Sequence, residues 1–196
     1  MSSQYTEMQL DALRELANIG SGTASTALSG MLGRSVDISV PNAQALPFAD
    51  AVDAMGDPES EMTGIVLGIQ GEMGGTVLLL VAPADADAMC RMLGLEPGDE
   101  YAVSALGEIG NIVGASYINA LASMTGMELE PTPPATATDM LGSIVASVLA
   151  TAALTGDVAL LLDSNLVVEG EDVSISFLLV PDQGGVDELL SRLGLS

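Results

Sequence analysis

The chain has 196 residues, of which 48% are apolar, so it is long enough and apolar enough to fold around a core. It carries 27 Asp and Glu residues against four Arg, with no Lys and no His, for a net charge of -23. Four scattered cations cannot form the positive surface that binds nucleic acid or anionic lipid, and without His there is no imidazole general base. One cysteine, Cys90, excludes an internal disulfide and a CxxC zinc site.

The excess of carboxylates also predicts the salt concentration at which the protein functions. A surface with this charge repels itself at low ionic strength and is tolerated best in concentrated salt, so we interpret the composition as halophilic. A basic binding partner is the alternative explanation. No targeting segment is recognisable in residues 1–7. The uncharged run between Asp139 and Asp157, the stretch that most suggests a membrane span, is shorter than the roughly 20 residues that a span needs. The sequence therefore predicts a cytoplasmic protein that makes no membrane contact.

Hydrophobic spacing and turn residues predict two similar runs of elements. The first half is predicted to contain a helix over 7–29 that Gly33 closes, a strand over 34–40 that ends at Pro41, strands 62–70 and 76–81 in a hairpin, and a helix over 82–94. The second half is predicted to contain a helix over 103–125 that Gly126 stops, a strand over 127–132, a helix over 138–154, strands 158–168 and 173–180 around Glu169 and Gly170, and a helix over 185–194.

The two runs align without gaps at an offset of 93 residues. Ten of the 32 positions in 10–41 are then identical, which indicates an internal duplication with halves 1–97 and 98–196. Neither half has enough elements to bury its own apolar faces, so we expect one α/β domain with a shared sheet. The identical residues in the first half are Ala12, Leu13, Glu15, Asn18, Ile19, Ala27, Leu28, Met31, Gly33 and Pro41.

Most of these identities are explained by packing, but a polar set within the first predicted helix of each half is not. Residues three and four apart share a helix face, so each set forms one stripe. A solvated helix face is the simpler interpretation. Asn is a mediocre residue in the middle of a helix, however, so its presence twice at the same offset from Glu favours a function. The stripes are Asp11, Glu15 and Asn18 in the first half and Ser104, Glu108 and Asn111 in the second.

A paired Glu and Asn limits the chemistry that is possible. An amide is neither acid nor base at neutral pH and can only donate and accept hydrogen bonds. That suits phosphoryl transfer to water, where an amide can align the attacking water in a loose transition state. The chain has no phosphate-binding loop and no basic clamp. Metal and positive charge would therefore arrive with the substrate, which indicates a phosphorylated protein with its own magnesium site.

The stripes, together with a proline 23 positions beyond each Asn, resemble the signature of the CheC/CheX/FliY family of chemotaxis phosphatases. Two copies in one chain are similar to the CheC branch of that family. The motif residues that carry the resemblance are Asp11, Glu15, Asn18 and Pro41 in the first half and Ser104, Glu108, Asn111 and Pro134 in the second.

The resemblance implies an α/β fold with a mainly antiparallel sheet of long strands and two exposed motif helices. It implies hydrolysis of the aspartyl phosphate of the response regulator CheY, with Asn18 and Asn111 orienting water and Glu15 and Glu108 pairing with the lysine of the regulator. Magnesium would belong to the regulator, so the chain itself needs no cofactor. The remaining motif residues would support local structure or docking.

The resemblance also implies binding of the deamidase CheD. Two alternatives to the enzyme stay open: a module that sequesters CheD or phosphorylated CheY, and a structural part of the motor switch. Intact amides in both halves favour the enzyme.

Overall fold

The computed structural model describes residues 5–152, 158–169 and 171–195. Each half of the chain has the same order of elements: a long helix, an edge strand, a helix, a hairpin and a short helix. In chain order the elements are α1 (Glu7–Leu32), β1 (Val36–Pro47), α2 (Phe48–Met55), β2 (Glu61–Gly71), β3 (Gly75–Val81), α3 (Pro83–Met92), α4 (Ala102–Thr125), β4 (Leu129–Pro131), β5 (Ala135–Met140), α5 (Leu141–Ala152), β6 (Val158–Val168), β7 (Glu171–Pro181) and α6 (Gly185–Arg192).

The strands of the two halves lie in one sheet. Its order is β1-β6-β7-β3-β2-β4, and β5 also pairs with β2. Replacing each strand by its counterpart in the other half gives the same order read from the other end. Every pairing among the described strands is antiparallel. The predicted α/β fold with a mainly antiparallel sheet is therefore confirmed, whereas the division at residues 97 and 98 stays a prediction.

Side chains that alternate along the strands fill two apolar layers, one on each face of the sheet. On β7, Phe177 and Leu179 belong to the layer under α1, α3, α4 and α6, while Leu178 and Val180 belong to the layer under α2 and α5. This alternation follows from the two-residue period of a strand. Both faces are covered, so the central strands are apolar on both sides.

The ends of the two long helices follow from local chemistry. Thr6 and Gln9 form a capping box at the start of α1, where each accepts a hydrogen bond from the backbone of the other. The helices α1 and α4 end at Gly33 and Gly126, which have φ angles of 64° and 70°. Only glycine adopts this left-handed conformation without strain, so the predicted helix ends are confirmed.

The predicted strand 34–40 is too short, because β1 continues past Pro41 to Pro47. Pro41 lies where the register with β6 shifts, between Ser39 and Asn42, so its missing N–H breaks no ladder bond. In the second half, the strand predicted over 127–132 is shortened to β4, and 138–140 is strand rather than helix. The Thr138 hydroxyl forms a cross-strand hydrogen bond of 3.0 Å with that of Thr63.

The sequence patterns also miss α2 and assign no strand to 135–137. The 93-residue offset is the signal that finds both, because 36–47 then aligns with 129–140, and residue 48, the start of α2, aligns with 141, the start of α5. The predicted hairpin over 158–180 is confirmed. Residues 153 and 154 of the predicted fifth helix, and Gly170 of the predicted turn, lie outside the described residues.

No helix in the part of the chain that the structure describes is long and apolar enough to cross a membrane. Within the same residues, no three His, Cys, Asp or Glu side chains converge in an arrangement that holds a metal ion.

Candidate functional site

The structure places the first polar stripe on the outer face of α1. Asp11 and Glu15 are exposed, and Asn18 is half-buried one turn beyond Glu15. Leu13 and Ala17 are buried on the opposite face. The helical spacing of the buried residues of α1 therefore turns Glu15 toward solvent, where its carboxylate can meet a partner.

Asn18 is fixed to the sheet by its side chain. The backbone N–H of Val40 donates to Asn18 Oδ1 at 3.0 Å, and Asn18 Nδ2 donates to the carbonyl of Val40 at 3.5 Å. Val40 directly precedes Pro41, at the register shift of β1. Both polar atoms of this amide are thus engaged by the strand.

Two serines extend this attachment along β1. Ser25 Oγ accepts the N–H of Ile38, and Ser29 Oγ accepts the N–H of Val36, each at 2.9 Å. Because β1 is the edge of the sheet, these N–H groups have no strand partner on that side, and α1 satisfies them in place of one. Asn18, Ser25 and Ser29 therefore form what we call the edge ladder. Sequence reasoning missed the two serines, although 18, 25 and 29 have helical spacing.

The second stripe has the same exposure and different contacts. Ser104 and Glu108 are exposed on α4, and Asn111 is half-buried. Among the described residues, no hydrogen bond to the side chain of Asn111 is found. The position equivalent to Val40 is Pro133, which has no N–H to donate. Pro134 lies between β4 and β5, where the edge strand is interrupted.

Glycines seat α4 against the sheet. A Cβ at Gly110 would lie 2.6 Å from Ile65 Cγ2, and one at Gly114 would lie 2.9 Å from Leu67 Cδ1. The equivalent residues of α1 are Ala17 and Ser21. The helix α4 therefore approaches β2 more closely than a helix with side chains at these positions can.

The two helices contact each other at Gly20, where a Cβ would lie 3.0 Å from the Cα of Tyr117. The Tyr117 hydroxyl forms hydrogen bonds of 2.7 Å with Ser21 Oγ and 3.3 Å with Ser164 Oγ. Burial raises the pKa of Tyr117, which keeps this hydroxyl protonated. The buried chain of three hydroxyls joins α1, α4 and β6, and the sequence analysis did not predict it.

Positive charge near the first stripe comes from Arg14, whose guanidinium lies 3.0 Å from the carboxylate of Asp11. An exposed pair of this kind contributes little to stability. The chemistry that both stripes can supply is an exposed carboxylate beside an amide, without a cation cluster that could bind phosphate.

The fold of this chain, an antiparallel sheet with two long helices on one face, is similar to the folds of two solved structures. FliY from Thermotoga maritima superposes with a TM-score of 0.78 at 20% identity, covering 97% of this chain and 98% of that one. The FliM middle domain from H. pylori superposes with a TM-score of 0.68 at 16% identity, covering 96% of this chain and 99% of that one. These likenesses establish the fold.

The sequence comparison goes further. Residues 8–43 and 102–137, which hold the two stripes and both prolines, match the CheC-like family. The CheY-P phosphatase CheC from Bacillus subtilis is 30% identical over 200 residues, covering 97% of this chain and 96% of that protein. The chain belongs to the CheC-like family, and the resemblance stated from the motifs is confirmed.

Proposed function

We propose that this protein is a phosphatase of chemotaxis that hydrolyses the aspartyl phosphate of the response regulator CheY. The observation that carries the proposal is the doubled Glu–Asn stripe on the outer faces of α1 and α4. The 30% identity to a CheY-P phosphatase over nearly the whole chain supports it.

In this proposal, each amide aligns the attacking water with the phosphorus atom, and each carboxylate pairs with a cation of the regulator. The half-buried position of Asn111 and the exposed position of Glu108 support this division of roles. An amide that aligns the water lowers the barrier through positioning, because the loose transition state needs little covalent help. Magnesium would be supplied by the regulator, so the proposal includes no cofactor held by this chain.

Asn18 has a second role in the first stripe. Its amide is held by the backbone of Val40, so it also fixes α1 to the edge of the sheet. We therefore propose that Asn18 combines positioning of water with a structural contact. Asp11, Ser104, Pro41 and Pro134 support the stripes through helix-face polarity and through the breaks in the edge strands.

The proposed partners are phosphorylated CheY and, on the family resemblance alone, CheD. Because CheY is a cytoplasmic signalling protein, the proposal places this chain in the cytoplasm. The motor-switch alternative is supported by the FliM fold, which is shared at 16% identity.

The decisive experiment measures loss of phosphate from phosphorylated CheY in molar salt. It compares the unmodified protein with Asn18→Ala, Asn111→Ala and the double variant. We expect the unmodified protein to accelerate the loss and the double variant to return it to the spontaneous rate. If the protein binds phosphorylated CheY and leaves its decay unchanged, the sequestering module replaces the enzyme.

We also propose that the acidic surface is an adaptation to concentrated salt. Three of the four arginines form ion pairs within the described residues, which offsets few of the 27 carboxylates. Dialysis into low salt is expected to unfold the protein because unscreened carboxylates repel one another. Circular dichroism that stays unchanged across the dialysis would contradict this proposal.

A further inference from the structure

The two most exposed large apolar side chains of the described residues are Met8 and Tyr101. Their exposed fractions are 68% and 63%. They are 93 residues apart, so they occupy equivalent positions at the starts of α1 and α4. The residue type differs between the halves, but in both halves a large apolar side chain projects into solvent at this place.

Each of these side chains lies on the stripe of its own half. Met8 precedes Glu15 by seven residues, and Tyr101 precedes Glu108 by the same number. Seven residues are about two helical turns, which returns the side chain to the same face. Ile19 follows Glu15 by one turn and is 43% exposed. The carboxylate of the first stripe is thus flanked by apolar side chains on both sides.

Packing within the chain does not explain this arrangement. Neither Met8 nor Tyr101 belongs to the apolar layers on the two faces of the sheet. Isolated exposed apolar residues are ordinary, but equal exposure at two duplicated positions beside the same polar pair is a repeated feature. Large apolar side chains that stay exposed in one molecule are well suited to be buried against another.

We propose that Met8 and Tyr101 are docking residues that bury against an apolar surface of the phosphorylated regulator beside its phosphoaspartate. This inference rests on the proposed function, since the stripes identify the partner. It gives the two stripes a source of affinity that charge does not supply. With a net charge of -23, the chain attracts only the cations of its partner, and salt screens that attraction.

Apolar contact behaves differently, because salts that are excluded from protein surfaces strengthen it. The two kinds of contact therefore predict opposite salt dependence. Docking through Met8 and Tyr101 predicts that the concentration of regulator at half-maximal rate falls, or stays constant, as sulfate is added. Docking through the glutamates alone predicts that this concentration rises.

The test is the double variant Met8→Ser/Tyr101→Ser, assayed on phosphorylated CheY in molar salt. We expect the KM for the regulator to rise about tenfold with kcat unchanged, as for the loss of interface anchors. The conservative variants Met8→Leu and Tyr101→Phe are expected to keep the original KM. An unchanged KM in the serine variant, or a loss confined to kcat, overturns the proposal.

Met31 and Met124 provide a matched control. They are also equivalent positions on α1 and α4, with exposed fractions of 39% and 38%. Each lies 16 residues beyond its glutamate, about 160° around the helix and about 24 Å along it. The variant Met31→Ser/Met124→Ser is expected to keep both KM and kcat. A similar rise in KM in this control would show a general surface effect and refute the assignment.

Binding of CheY activated with beryllofluoride separates this inference from the phosphatase proposal. If the unmodified protein binds the beryllofluoride-activated regulator but does not accelerate phosphate loss from phosphorylated CheY, a tenfold weaker binding of Met8→Ser/Tyr101→Ser supports docking while the enzyme is rejected. If hydrolysis occurs and the variant binds as tightly as the unmodified protein, only the docking proposal falls. If no binding is detected and phosphate loss from phosphorylated CheY is not accelerated, both fall.

Discussion

The two halves attach their stripe-bearing helices to the sheet in different ways. The helix α1 uses polar side chains, since Asn18, Ser25 and Ser29 accept the free N–H groups of an edge strand. The helix α4 uses glycines, such as Gly110, that let it lie against β2. A duplicated motif can therefore keep its spacing while its asparagine is hydrogen-bonded to the sheet in one copy and, among the described residues, is not in the other.

The largest effect is expected from filling a glycine under α4. Gly110→Ala gives the second half the residue of the first, but the new Cβ would lie 2.6 Å from Ile65, which is itself buried. We expect a loss of about 1 to 3 kcal/mol in the free energy of unfolding, measured by denaturant titration in molar salt. Gly22→Ala is the control: its Cβ meets open space, so helix propensity should stabilise the fold by up to about 1 kcal/mol. Equal effects would show that close seating of α4 is unimportant.

The edge ladder predicts that Asn18→Ala and Asn111→Ala change the free energy of unfolding by different amounts. Asn18→Ala leaves the N–H of buried Val40 without a partner, and we expect a loss of about 1 to 2 kcal/mol. Asn111→Ala removes no hydrogen bond seen among the described residues and should stay within about 0.5 kcal/mol of the unmodified protein. Equal unfolding free energies for the two variants would contradict the asymmetry.

The serines of the ladder allow a smaller test. Ser25→Ala removes the acceptor of the Ile38 N–H and is expected to cost about 1 kcal/mol. Thr26→Ala is the neighbouring control, because among the described residues the Thr26 hydroxyl donates to the Gly22 carbonyl of its own helix and has no bond to β1. Hydrogen exchange at the Ile38 amide should be faster in Ser25→Ala and unchanged in Thr26→Ala. Protection that survives in Ser25→Ala would show that the serine is dispensable.

The smallest expected effect is a difference in phosphatase rate between the two asparagine variants. The amide of Asn18 must leave the Val40 backbone, or share it, before it can align water, whereas Asn111 is unoccupied among the described contacts. We expect Asn111→Ala to lose more than half of the phosphatase rate and Asn18→Ala less than half, a difference of about 0.4 kcal/mol for a factor of two. Rates must be compared at equal folded fractions. The reverse ranking would mean that the hydrogen bonds to Val40 place the Asn18 amide better for aligning water.

Local patterns predicted most of the elements. Both long helices, the two hairpins and the glycine ends at Gly33 and Gly126 follow from spacing and turn residues. The errors cluster at the edge strands, where Pro41 lies inside β1 and 138–140 is strand. A proline is an end signal only when its N–H would be needed, and whether it is needed depends on the pairing with β6. No short stretch of the sequence reveals that pairing, because β1 and β6 are far apart in the chain.

Residue type and helical period were enough to predict the duplication, the Glu–Asn spacing, the acidic surface and the outward orientation of Glu15 and Glu108. Only the tertiary structure decided what each asparagine contacts. That contact joins residues 22 positions apart, and it exists in one half because Val40 offers an N–H that Pro133 lacks. The difference between Val40 and Pro133 is visible in the sequence. Its effect on the asparagines can be recognised only from the fold, which brings an edge strand against the helix.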